Sequence, residues 1–528
     1  AARLDGMRDG PLHAAARAEL YLAKGSPRVE LPQLLPLLNA APDAPQADKL
    51  RALAETRGAI DPPPIAQPQR LVWAGSQPRR ARAKSIKGDP IADALESRIQ
   101  ALIVDDQPAA AEALFAGSEF ALGSEARTEF QQRIAWSHYL VGSDAAARTL
   151  ALKAARGGSG EWALHAEWVA GLAAWRMRDC NAAAESFGTV GARSGDSELV
   201  AAGHYWGARA DMLCQRPDRV QARLRSAAAL RETFYGLLAA SALGIKTVNY
   251  SGLHDYRDAE WRILAGKPNV KAAIALAEIG ETALADSFIR HQARIAPGDH
   301  GGLLHLAEEL SLASTQYWLA HNAPRGARVN IAARYPMPDW KPTRGWRVDQ
   351  SLVFAHALQE SSFRHEVVSP AGAHGIMQVR PGTAGDIARS RGEPFDRQML
   401  FDPNINVEYG QSYLEYLRDF PGTDGLLPKV IASYNAGPAP IREWNGRQMD
   451  GGDPLLYIES IPYWETRGYV PIVLRNYWIY EQKAGQASTS RSALAQGMWP
   501  RFPGLSGPTA VRVERPRSTP LNAGYRSN

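Results

Sequence analysis

Between residue 97 and about residue 265, apolar side chains return at helical spacing, with many alanines and few β-branched runs. Leu114, Leu150, Phe187 and Leu224 are separated by 36, 37 and 37 residues. The first three follow alanine triplets at residues 109–111, 145–147 and 182–184. A period of this length is typical of helical hairpins, each of which buries its apolar side against its neighbours. The pattern therefore predicts a curved stack of helices.

Four tryptophans lie among these small residues, namely Trp136, Trp168, Trp175 and Trp206. An exposed aromatic ring is able to act as a stacking platform for a sugar. At helical spacing beside alanines, however, we interpret the four rings as core, because bulky and small side chains interlock in close-packed interiors. The whole repeat resembles a degenerate tetratricopeptide-like array.

Shorter apolar patches flank the repeat on both sides. Before it we predict helices, separated by proline-rich breaks, at residues 12–22, 32–39 and 47–57. After it we predict helices at residues 270–279, 282–293, 301–312 and 315–321. The basic run at residues 79–84 predicts an exposed loop or helix face, and we assign no site to it.

The end of the chain differs in composition. From Gln486 onward Ser, Arg, Pro and Gly dominate and hydrophobic periodicity stops, so we predict a disordered or extended tail over residues 486–528. Six arginines against Glu514 give residues 491–528 a net charge of +5, which equals the formal net charge of all 528 residues. Because the rest of the chain is balanced, a nucleic-acid-binding domain is not supported. Such a tail could be attracted to an anionic polymer, although we favour the alternative of a solvated end.

One acidic residue, Glu360, lies in a setting that suits an acid catalyst. If residues 352–363 are helical, a turn of about 100° per residue places Glu360 on one side of the helix with Val353, His356, Ala357 and Phe363. That side is largely apolar, so we predict that the carboxyl faces inward. Burial disfavours the charged form, and we therefore expect the pKa of Glu360 to be raised.

The run Ser-Pro-Ala-Gly-Ala-His-Gly at residues 369–375 is not expected to continue this helix. Its glycines permit close approach of the backbone to a ligand, which predicts a cleft wall. Hydrolytic glycosidases usually employ two carboxyl groups, but this part of the chain offers one strong candidate.

Five short motifs in this region carry a resemblance to a known family. They are Glu360 with Ser361, Ser369 with Pro370, Gly-Ile-Met-Gln at 375–378, Tyr-Asn-Ala-Gly at 434–437, and Ile-Pro-Tyr at 461–463 with Glu-Thr-Arg at 465–467 and Tyr-Val at 469–470. Their order resembles the signature of the lytic transglycosylases, lysozyme-like enzymes that cut bacterial peptidoglycan. The chain most resembles the large soluble, doughnut-shaped murein transglycosylases, because these also carry a long helical region before the catalytic domain.

The resemblance implies a mainly α fold with four parts. We expect an α-superhelical domain at residues 1–265, ending near a family-like segment at 233–240, and a helical linker domain at 266–334 that closes a ring. We then expect a lysozyme-like, α-rich catalytic domain at 335–485 and the basic tail at 486–528.

The resemblance also implies the chemistry. The expected activity is cleavage of the β-1,4 bond between N-acetylmuramic acid and N-acetylglucosamine in peptidoglycan, forming a 1,6-anhydromuramic acid end. Glu360 would protonate the departing sugar oxygen and then accept a proton from the primary hydroxyl of the same muramic acid. One carboxyl group therefore suffices, no water is consumed, and no cofactor or metal is expected.

Further positions match family residues that line the cleft and hold the glycan: Ser369, Met377, Gln378, Tyr434, Asn435 and Glu465. Asn435 could instead be a residue of a turn or helix end, and Gln378 an ordinary surface amide. Glu465 could raise the pKa of Glu360 by like-charge coupling, or could pair with Arg467. We interpret Glu459 as a surface acid.

Arg380 departs from the family pattern, which has an apolar residue there. Its side chain could meet a stem-peptide carboxylate or point to solvent. Two other functions remain open at this point. A goose-type lysozyme-like muramidase would hydrolyse the same bond, and a non-catalytic helical scaffold would assemble cell-wall enzymes. The presence of Glu360, Tyr434 and the Gly-Ile-Met-Gln run argues against a decayed domain.

The chain begins at Ala1 without a methionine, so we expect an exported protein of the periplasm from which a leader has been removed. No stretch approaches the roughly 18 apolar residues of a membrane span. In such a compartment Cys180 and Cys214 could form a disulfide, although two small buried side chains are the alternative. We expect a monomer whose partners are peptidoglycan strands and other cell-wall synthesis enzymes.

Overall fold

The computed structural model describes residues 4, 6, 10–245, 258–327, 330–447 and 450–513. The described part of the chain is dominated by helices, and its strands are only two residues long. This confirms the prediction of a mainly α fold. The chain divides into two compact units. The first unit comprises Ala1–Ser76, Tyr250–Gly345 and Glu360–Glu408, and the second comprises Gln77–Asn249, Trp346–Gln359 and Tyr409–Asn528.

The first unit contains two hydrophobic cores. One is built by the helices His13–Leu22, Leu31–Ala40 and Ala47–Thr56, with Leu34 and Leu50 buried at its centre. The other includes Val270, Ile289 and Leu303 and is built mainly by the helices Asp258–Ala265, Pro268–Glu278, Thr282–Ile295, His300–Glu309 and Ala313–His321. The seven helices predicted in these segments are confirmed to within a few residues at each end.

Short elements complete the first unit. Strand Val72–Trp73 pairs antiparallel with Asn322–Ala323, so residues about 250 positions apart are tied by backbone hydrogen bonds. The remaining elements are the 3₁₀ turns Pro297–Asp299, Ile331–Arg334 and Arg397–Phe401, the helix Pro381–Arg391 and the first residues of the helix Pro403–Asp419.

The second unit begins with the predicted repeat. Its helices are Pro90–Val104, Pro108–Ala116, Ser124–Leu140, Asp144–Gly157, Gly160–Arg176, Cys180–Arg193, Ser197–Leu213, Pro217–Ala228 and Phe234–Ala242, with a 3₁₀ turn at Glu119–Ala121. We call these helices the helical array. Consecutive helices pack on one another, which confirms the prediction of stacked helical hairpins.

The period of the helical array is visible in its turns. Asp106, Gly142, Arg178 and Gln215 each follow a long helix by two residues, and each has a positive φ between 55° and 84°. These four left-handed residues are spaced by 36, 36 and 37 positions, which matches the spacing of the apolar markers. Of those markers Leu150 and Phe187 are buried, whereas Leu114 and Leu224 are half-buried.

The tryptophans of the helical array separate into two pairs. Trp168 and Trp206 are buried and pack around Phe187, as a core interpretation requires. Trp136 and Trp175 are partly exposed. In the same region Cys180 and Cys214 are joined by a disulfide, with their Cα atoms 5.6 Å apart.

The rest of the second unit is built from helices and one short strand pair. The helices are Gln350–Ser361, whose last two residues belong to the first unit, Pro403–Asp419 from Tyr409 onward, Leu427–Ala436, Pro438–Arg447, Pro454–Glu459, Trp464–Lys483 and Thr489–Ala495. Strand Trp499–Pro500 pairs antiparallel with Ala510–Val511. None of the helices in the described residues is both long and apolar enough to span a bilayer.

Residues 486–513, predicted to be disordered or extended, contain the helix Thr489–Ala495 as well as the extended strands Trp499–Pro500 and Ala510–Val511, so disorder is wrong for this segment. Leu494, Trp499 and Phe502 are buried, and the Trp499 indole N–H donates to the Gly452 carbonyl at 2.7 Å. The Trp478 indole N–H donates to the Ser490 hydroxyl at 2.9 Å. These few large side chains fix an irregular chain without needing a helical period. Residues 514–528 lie outside the described part of the chain.

Within the second unit, buried polar contacts join residues 450–480 to the helical array and to the segment that precedes it. Arg80 forms a bidentate ion pair with Glu459, with N–O distances of 2.7 and 3.0 Å. The Tyr235 hydroxyl donates to the same carboxylate at 2.6 Å. Glu459 is 1% exposed, so its interpretation as a surface acid is wrong. Arg80 likewise departs from the exposed character predicted for residues 79–84, because a buried carboxylate requires a cationic partner.

Candidate functional site

Glu360 lies in the last turn of the helix Gln350–Ser361 and is half-buried. Val353, His356 and Ala357, which share its side of the helix, are all buried. This helix ends at Ser361, earlier than predicted, because the next two residues have left-handed φ values of 53° and 65°. Phe363 is buried but is not part of the helix. The expectation of a raised pKa at Glu360 stays a prediction.

The loop at residues 367–379 follows in the first unit and folds back on itself. The Ser369 N–H donates to the Ala373 carbonyl at 2.9 Å, and the Ser369 hydroxyl accepts a bond from the Ala373 N–H at 3.0 Å. His374 forms bridges with Val368 and Val379. The Ser361 hydroxyl donates to the Ile376 carbonyl at 2.8 Å and so ties the helix end to this loop.

Gly375 is a position where only glycine fits. Its φ is +74°, and a Cβ atom there would lie 2.2 Å from the Leu400 carbonyl oxygen and 2.3 Å from the Asn406 amide nitrogen. Any larger residue would therefore displace the loop. The sequence analysis predicted that glycine here permits close approach of the backbone to a ligand. At Gly375 the groups that approach closely are Leu400 and Asn406 of the protein itself.

Asn406 holds the loop and was missed by the sequence analysis. Its side-chain oxygen accepts from the Met377 N–H at 2.8 Å, and its amide donates to the carbonyls of His374 and Leu400 at 2.9 and 2.8 Å. The residue is fully buried in the helix Pro403–Asp419. No local pattern distinguishes this asparagine from its neighbours, since its partners lie up to 32 residues away.

Met377 and Gln378 sit at the end of this loop. Met377 is fully buried, and Gln378 has a left-handed φ of 50°. The Gln378 amide donates to the carbonyls of Val367 and Gly375 at 3.1 and 2.7 Å. Gln378 is therefore not an ordinary surface amide, because its side chain closes the loop that carries it.

Asn435 and Glu465 come together in the second unit. The Asn435 side-chain oxygen accepts from the Thr466 hydroxyl at 2.6 Å, and its amide lies 3.5 Å from Glu465 Oε1. Asn435 belongs to the last turn of the helix Leu427–Ala436, as the helix-end alternative had it. Its side chain nevertheless bonds to the start of the helix Trp464–Lys483 rather than to its own backbone.

Tyr434 lies against a buried histidine that the sequence analysis treated only as a neighbour of Glu360. The His356 ring centroid is 4.5 Å from that of Tyr434, and His356 Nδ1 is 2.8 Å from the Tyr469 hydroxyl. Burial lowers the pKa of His356 to about 3, so the imidazole is neutral at physiological pH. His356 thus links two tyrosines of the matched motifs without adding charge.

Glu465 and Arg467 do not form the ion pair considered from the sequence. Glu465 is exposed. The Arg467 guanidinium instead donates to the Ile461 carbonyl at 2.9 Å and lies 4.0 Å from the centroid of the Trp136 ring. The pairing alternative is therefore wrong, and coupling between Glu465 and Glu360 stays a prediction.

Arg380 is exposed, and its guanidinium donates to the Ala371 carbonyl at 3.3 Å. In the part of the chain that the structure describes, no group of three or more His, Cys, Asp or Glu side chains is arranged to hold a metal ion.

Comparison with known proteins matches the part of the chain that carries most of these motifs to a family. Residues 340–455 match the family described as the transglycosylase SLT domain. The soluble lytic murein transglycosylase of Salmonella typhimurium is 37% identical over 161 residues, which cover 30% of this chain and 24% of the relative. That of Escherichia coli K12 is 38% identical over 157 residues, covering 29% and 24%. The chain thus spans about a quarter of the length of these relatives.

Solved structures extend the likeness to the fold. The 70 kDa soluble lytic transglycosylase SLT70 of Escherichia coli superimposes with a TM-score of 0.54 at 18% identity, covering 94% of this chain and 95% of SLT70. The complex of the 70 kDa soluble lytic transglycosylase with bulgecin A gives a TM-score of 0.56 at 18% identity and covers the same shares of the two chains. At this identity the likeness establishes the fold.

Proposed function

Because the chain belongs to the soluble lytic murein transglycosylase family, we propose that it cleaves the β-1,4 bond between N-acetylmuramic acid and N-acetylglucosamine in peptidoglycan. The product would carry a 1,6-anhydromuramic acid end. The observation that carries the proposal is Glu360, half-buried at the end of an apolar helix and followed by the loop that Asn406 fastens. We further propose that this activity is exerted in the periplasm, during remodelling and turnover of the cell wall.

Glu360 would carry both proton transfers. Its carboxyl group first gives a proton to the glycosidic oxygen as the bond to the muramic acid breaks. The carboxylate then takes the proton of the C6 hydroxyl of the same muramic acid, whose oxygen closes the anhydro ring. The proton returns to Glu360 and no water enters the product. General acid–base assistance of this kind contributes roughly 10²–10⁴ in rate.

The remaining candidate residues would bind and orient the glycan. We assign this role to Ser369, Gln378, Tyr434, Asn435 and Glu465, whereas Met377, which is fully buried, would act by supporting the loop that carries Gln378. Two contacts support this role for Tyr434 and Asn435. Asn435 is oriented by the Thr466 hydroxyl at 2.6 Å, and Tyr434 packs on the neutral ring of His356. Side chains held by such contacts lose less rotational freedom when they bind a ligand.

The mass of the muramic product tests the proposal. Cleavage by the proposed route releases an anhydro end that is lighter by one water than a hydrolysed end. A hydrated end would identify a goose-type muramidase instead, and a folded wild-type chain that releases no fragment would identify a scaffold. Digestion of purified sacculi followed by mass spectrometry distinguishes the three outcomes.

Glu360→Gln tests the assignment of the acid. Glutamine keeps the size of the side chain but neither supplies nor accepts the proton, so activity should fall by roughly 10²–10⁴ with folding retained. Glu366→Gln is the matched control, because Glu366 is an exposed glutamate six residues away. Near wild-type turnover by a folded Glu360→Gln chain would remove Glu360 from the mechanism.

A further inference from the structure

A cavity of about 700 Å³ lies in the second unit, away from the contacts described for the candidate site. One wall comes from the helical array and the segment before it, and the other from residues 443–467. Six arginines line it, against three acidic residues: Arg80, Arg82, Arg133, Arg176, Arg447 and Arg467, with Glu96, Asp106 and Glu443. Arginines therefore outnumber acidic residues in the lining, and the volume of the cavity suits a ligand of several sugar or amino-acid units.

Most of these arginines already have carboxylate partners. Arg80 pairs with Glu459, Arg133 with Glu129, and Arg176 with Asp144. Arg447 pairs with Asp106 and Glu443. Among the cavity's described arginines, Arg82 and Arg467 are those without a carboxylate within ion-pair distance. Their charges are available to an external anion.

The Arg467 guanidinium is fixed in position by its neighbours. Its guanidinium lies 4.0 Å from the Trp136 centroid and 5.1 Å from the Trp464 centroid, and one N–H group donates to the Ile461 carbonyl. Burial lowers the pKa of Arg467 to about 9, although the nearby charge of Glu459 opposes that shift. The Glu459 carboxylate already accepts hydrogen bonds from Arg80 and Tyr235. A ligand carboxylate next to Arg467 would form a charge-assisted hydrogen bond with its guanidinium.

Aromatic rings line the same cavity. Tyr463 is 53% exposed and meets Trp444 edge to face, and the Trp162 indole is fixed by a hydrogen bond to the Lys84 carbonyl. Flat apolar rings beside arginines suit a ligand that presents both C–H faces, as sugars do, and carboxylates. A purely inorganic anion would make no use of these rings.

We propose that this cavity binds the carboxylate-bearing stem peptides of a peptidoglycan strand together with their sugars, through Arg82, Arg467 and the surrounding rings. The inference rests on the proposed function, which supplies the class of ligand. The helix Trp464–Lys483 connects the cavity with the candidate site. In its first turn Trp464 and Arg467 face the cavity, whereas Glu465 and Thr466 contact Asn435.

Calorimetric titration of the full chain tests the cavity site. The chain carries Glu360→Gln so that the ligands stay intact. One ligand is the disaccharide of N-acetylglucosamine and N-acetylmuramic acid with a tetrapeptide, and the other is the same disaccharide without peptide. In this background Arg82→Gln combined with Arg467→Met should weaken binding of the peptide-bearing ligand by about tenfold, because two charge-assisted contacts are lost. Binding of the peptide-free ligand should stay unchanged.

Two further variants control the titration. Arg225→Met, an exposed arginine of the helical array outside the cavity, should bind both ligands as the Glu360→Gln chain does. Arg82→Glu changes only an exposed side chain, so its fold is expected to be intact, and it should weaken binding of the peptide-bearing ligand alone by roughly threefold.

The proposal is overturned if the double variant binds both ligands unchanged or loses both equally, or if Arg82→Glu leaves the ratio of the two affinities unaltered. Failure of the proposed function is a separate result. In that case the wild-type chain would form no anhydro product from sacculi. Normal anhydro product with an unchanged affinity ratio would reject the cavity site alone.

Discussion

Two interfaces within the second unit are built on opposite principles. Inside the helical array, helices meet through small and aromatic side chains, and a Cβ atom at Gly171 would lie 2.6 Å from the Phe187 ring. Between residues 450–480 and the array with the segment before it, the contacts include buried ion pairs at Glu459 and Asp453 and a buried polar contact between Glu198 and Arg475. The first interface gains stability from apolar burial, whereas the second depends on the correct pairing of charges.

The difference determines how each interface responds to change. An apolar contact loses free energy in proportion to the atoms removed, because the remaining atoms still exclude water. A buried charge that loses its partner keeps its desolvation cost but loses the electrostatic attraction that offset it. We therefore expect the polar interface to be the more sensitive of the two to single substitutions that keep side-chain volume.

Arg80→Met gives the largest expected loss. It leaves Glu459, which is 1% exposed, without its cationic partner, and should lower the free energy of unfolding by roughly 3–5 kcal/mol. Arg79→Met, at the neighbouring exposed position, is the control. Denaturant titration measures both. Because replacement of a whole buried pair is often nearly neutral, Arg80→Met with Glu459→Met should recover much of the loss, and equal losses in single and double variants would contradict the pairing argument.

The disulfide supports the apolar interface by covalent means. It joins the first residue of the helix Cys180–Arg193 to the residue that caps Ser197–Leu213. Replacing both cysteines by serine should cost roughly 3–4 kcal/mol in the chain-entropy description of a loop of this length. A thiol count under denaturing, non-reducing conditions checks the bond itself, and two free thiols in protein taken from an oxidising compartment would contradict it.

The polar interface should also respond to pH. Burial raises the pKa of Glu198 to about 7, and Glu198 is 7% exposed. The folded chain holds a proton here that the unfolded chain releases near pH 4.5, so stability is highest below that pH and falls as pH rises toward 7. The loss should be about 3 kcal/mol. Burial raises the pKa of Glu481 to about 7 as well.

Glu198→Gln separates these two contributions. The variant keeps the Glu481 contribution but should flatten the decline of stability between about pH 4.5 and 7, as followed by thermal melting across that range. A decline of unaltered steepness would show that ionisation of Glu198 does not contribute to the pH dependence of stability.

Tyr235→Phe should have the smallest effect. The Tyr235 hydroxyl accepts from the Trp206 indole at 2.9 Å and donates to Glu459 at 2.6 Å, so it bridges the apolar core of the array and the polar interface. Its removal leaves the Trp206 N–H unsatisfied and should cost roughly 1–3 kcal/mol. Tyr205→Phe provides a comparison, because Tyr205 packs on Tyr235 in the same core. Equal losses in the two variants would mean that the bridge contributes nothing.

The apolar interface could be predicted from the sequence, and the polar one could not. Helical spacing, alanine triplets and a period of 36 to 37 residues recur locally, so the sequence alone indicates the helical array. The partners Arg80 and Glu459 are 379 residues apart, and neither differs from a surface residue in its local sequence. Residues 486–513 were misjudged for a related reason, because Leu494, Trp499 and Phe502 are buried singly and without a period.

The same contrast applies to the candidate site. Glu360 could be selected because an apolar helix side surrounds it, and short motifs identified Gln378, Tyr434 and Asn435. Asn406 and the contact between His356 and Tyr469 escaped notice, since both act through tertiary contacts with residues distant in the sequence. Sequence patterns thus indicated the candidate site residues more readily than the residues that hold them in place.

The left-handed turns at Asp106, Gly142, Arg178 and Gln215 divide the helical array into equal lengths of chain. Under mechanical tension such an array would lengthen in steps, since each hairpin contacts mainly its neighbours. One repeat of 36 residues releases about 120 Å of extended chain when it opens. The disulfide prevents the residues between Cys180 and Cys214 from extending. The third interval, from Arg178 to Gln215, would therefore stay closed under a load that extends the others.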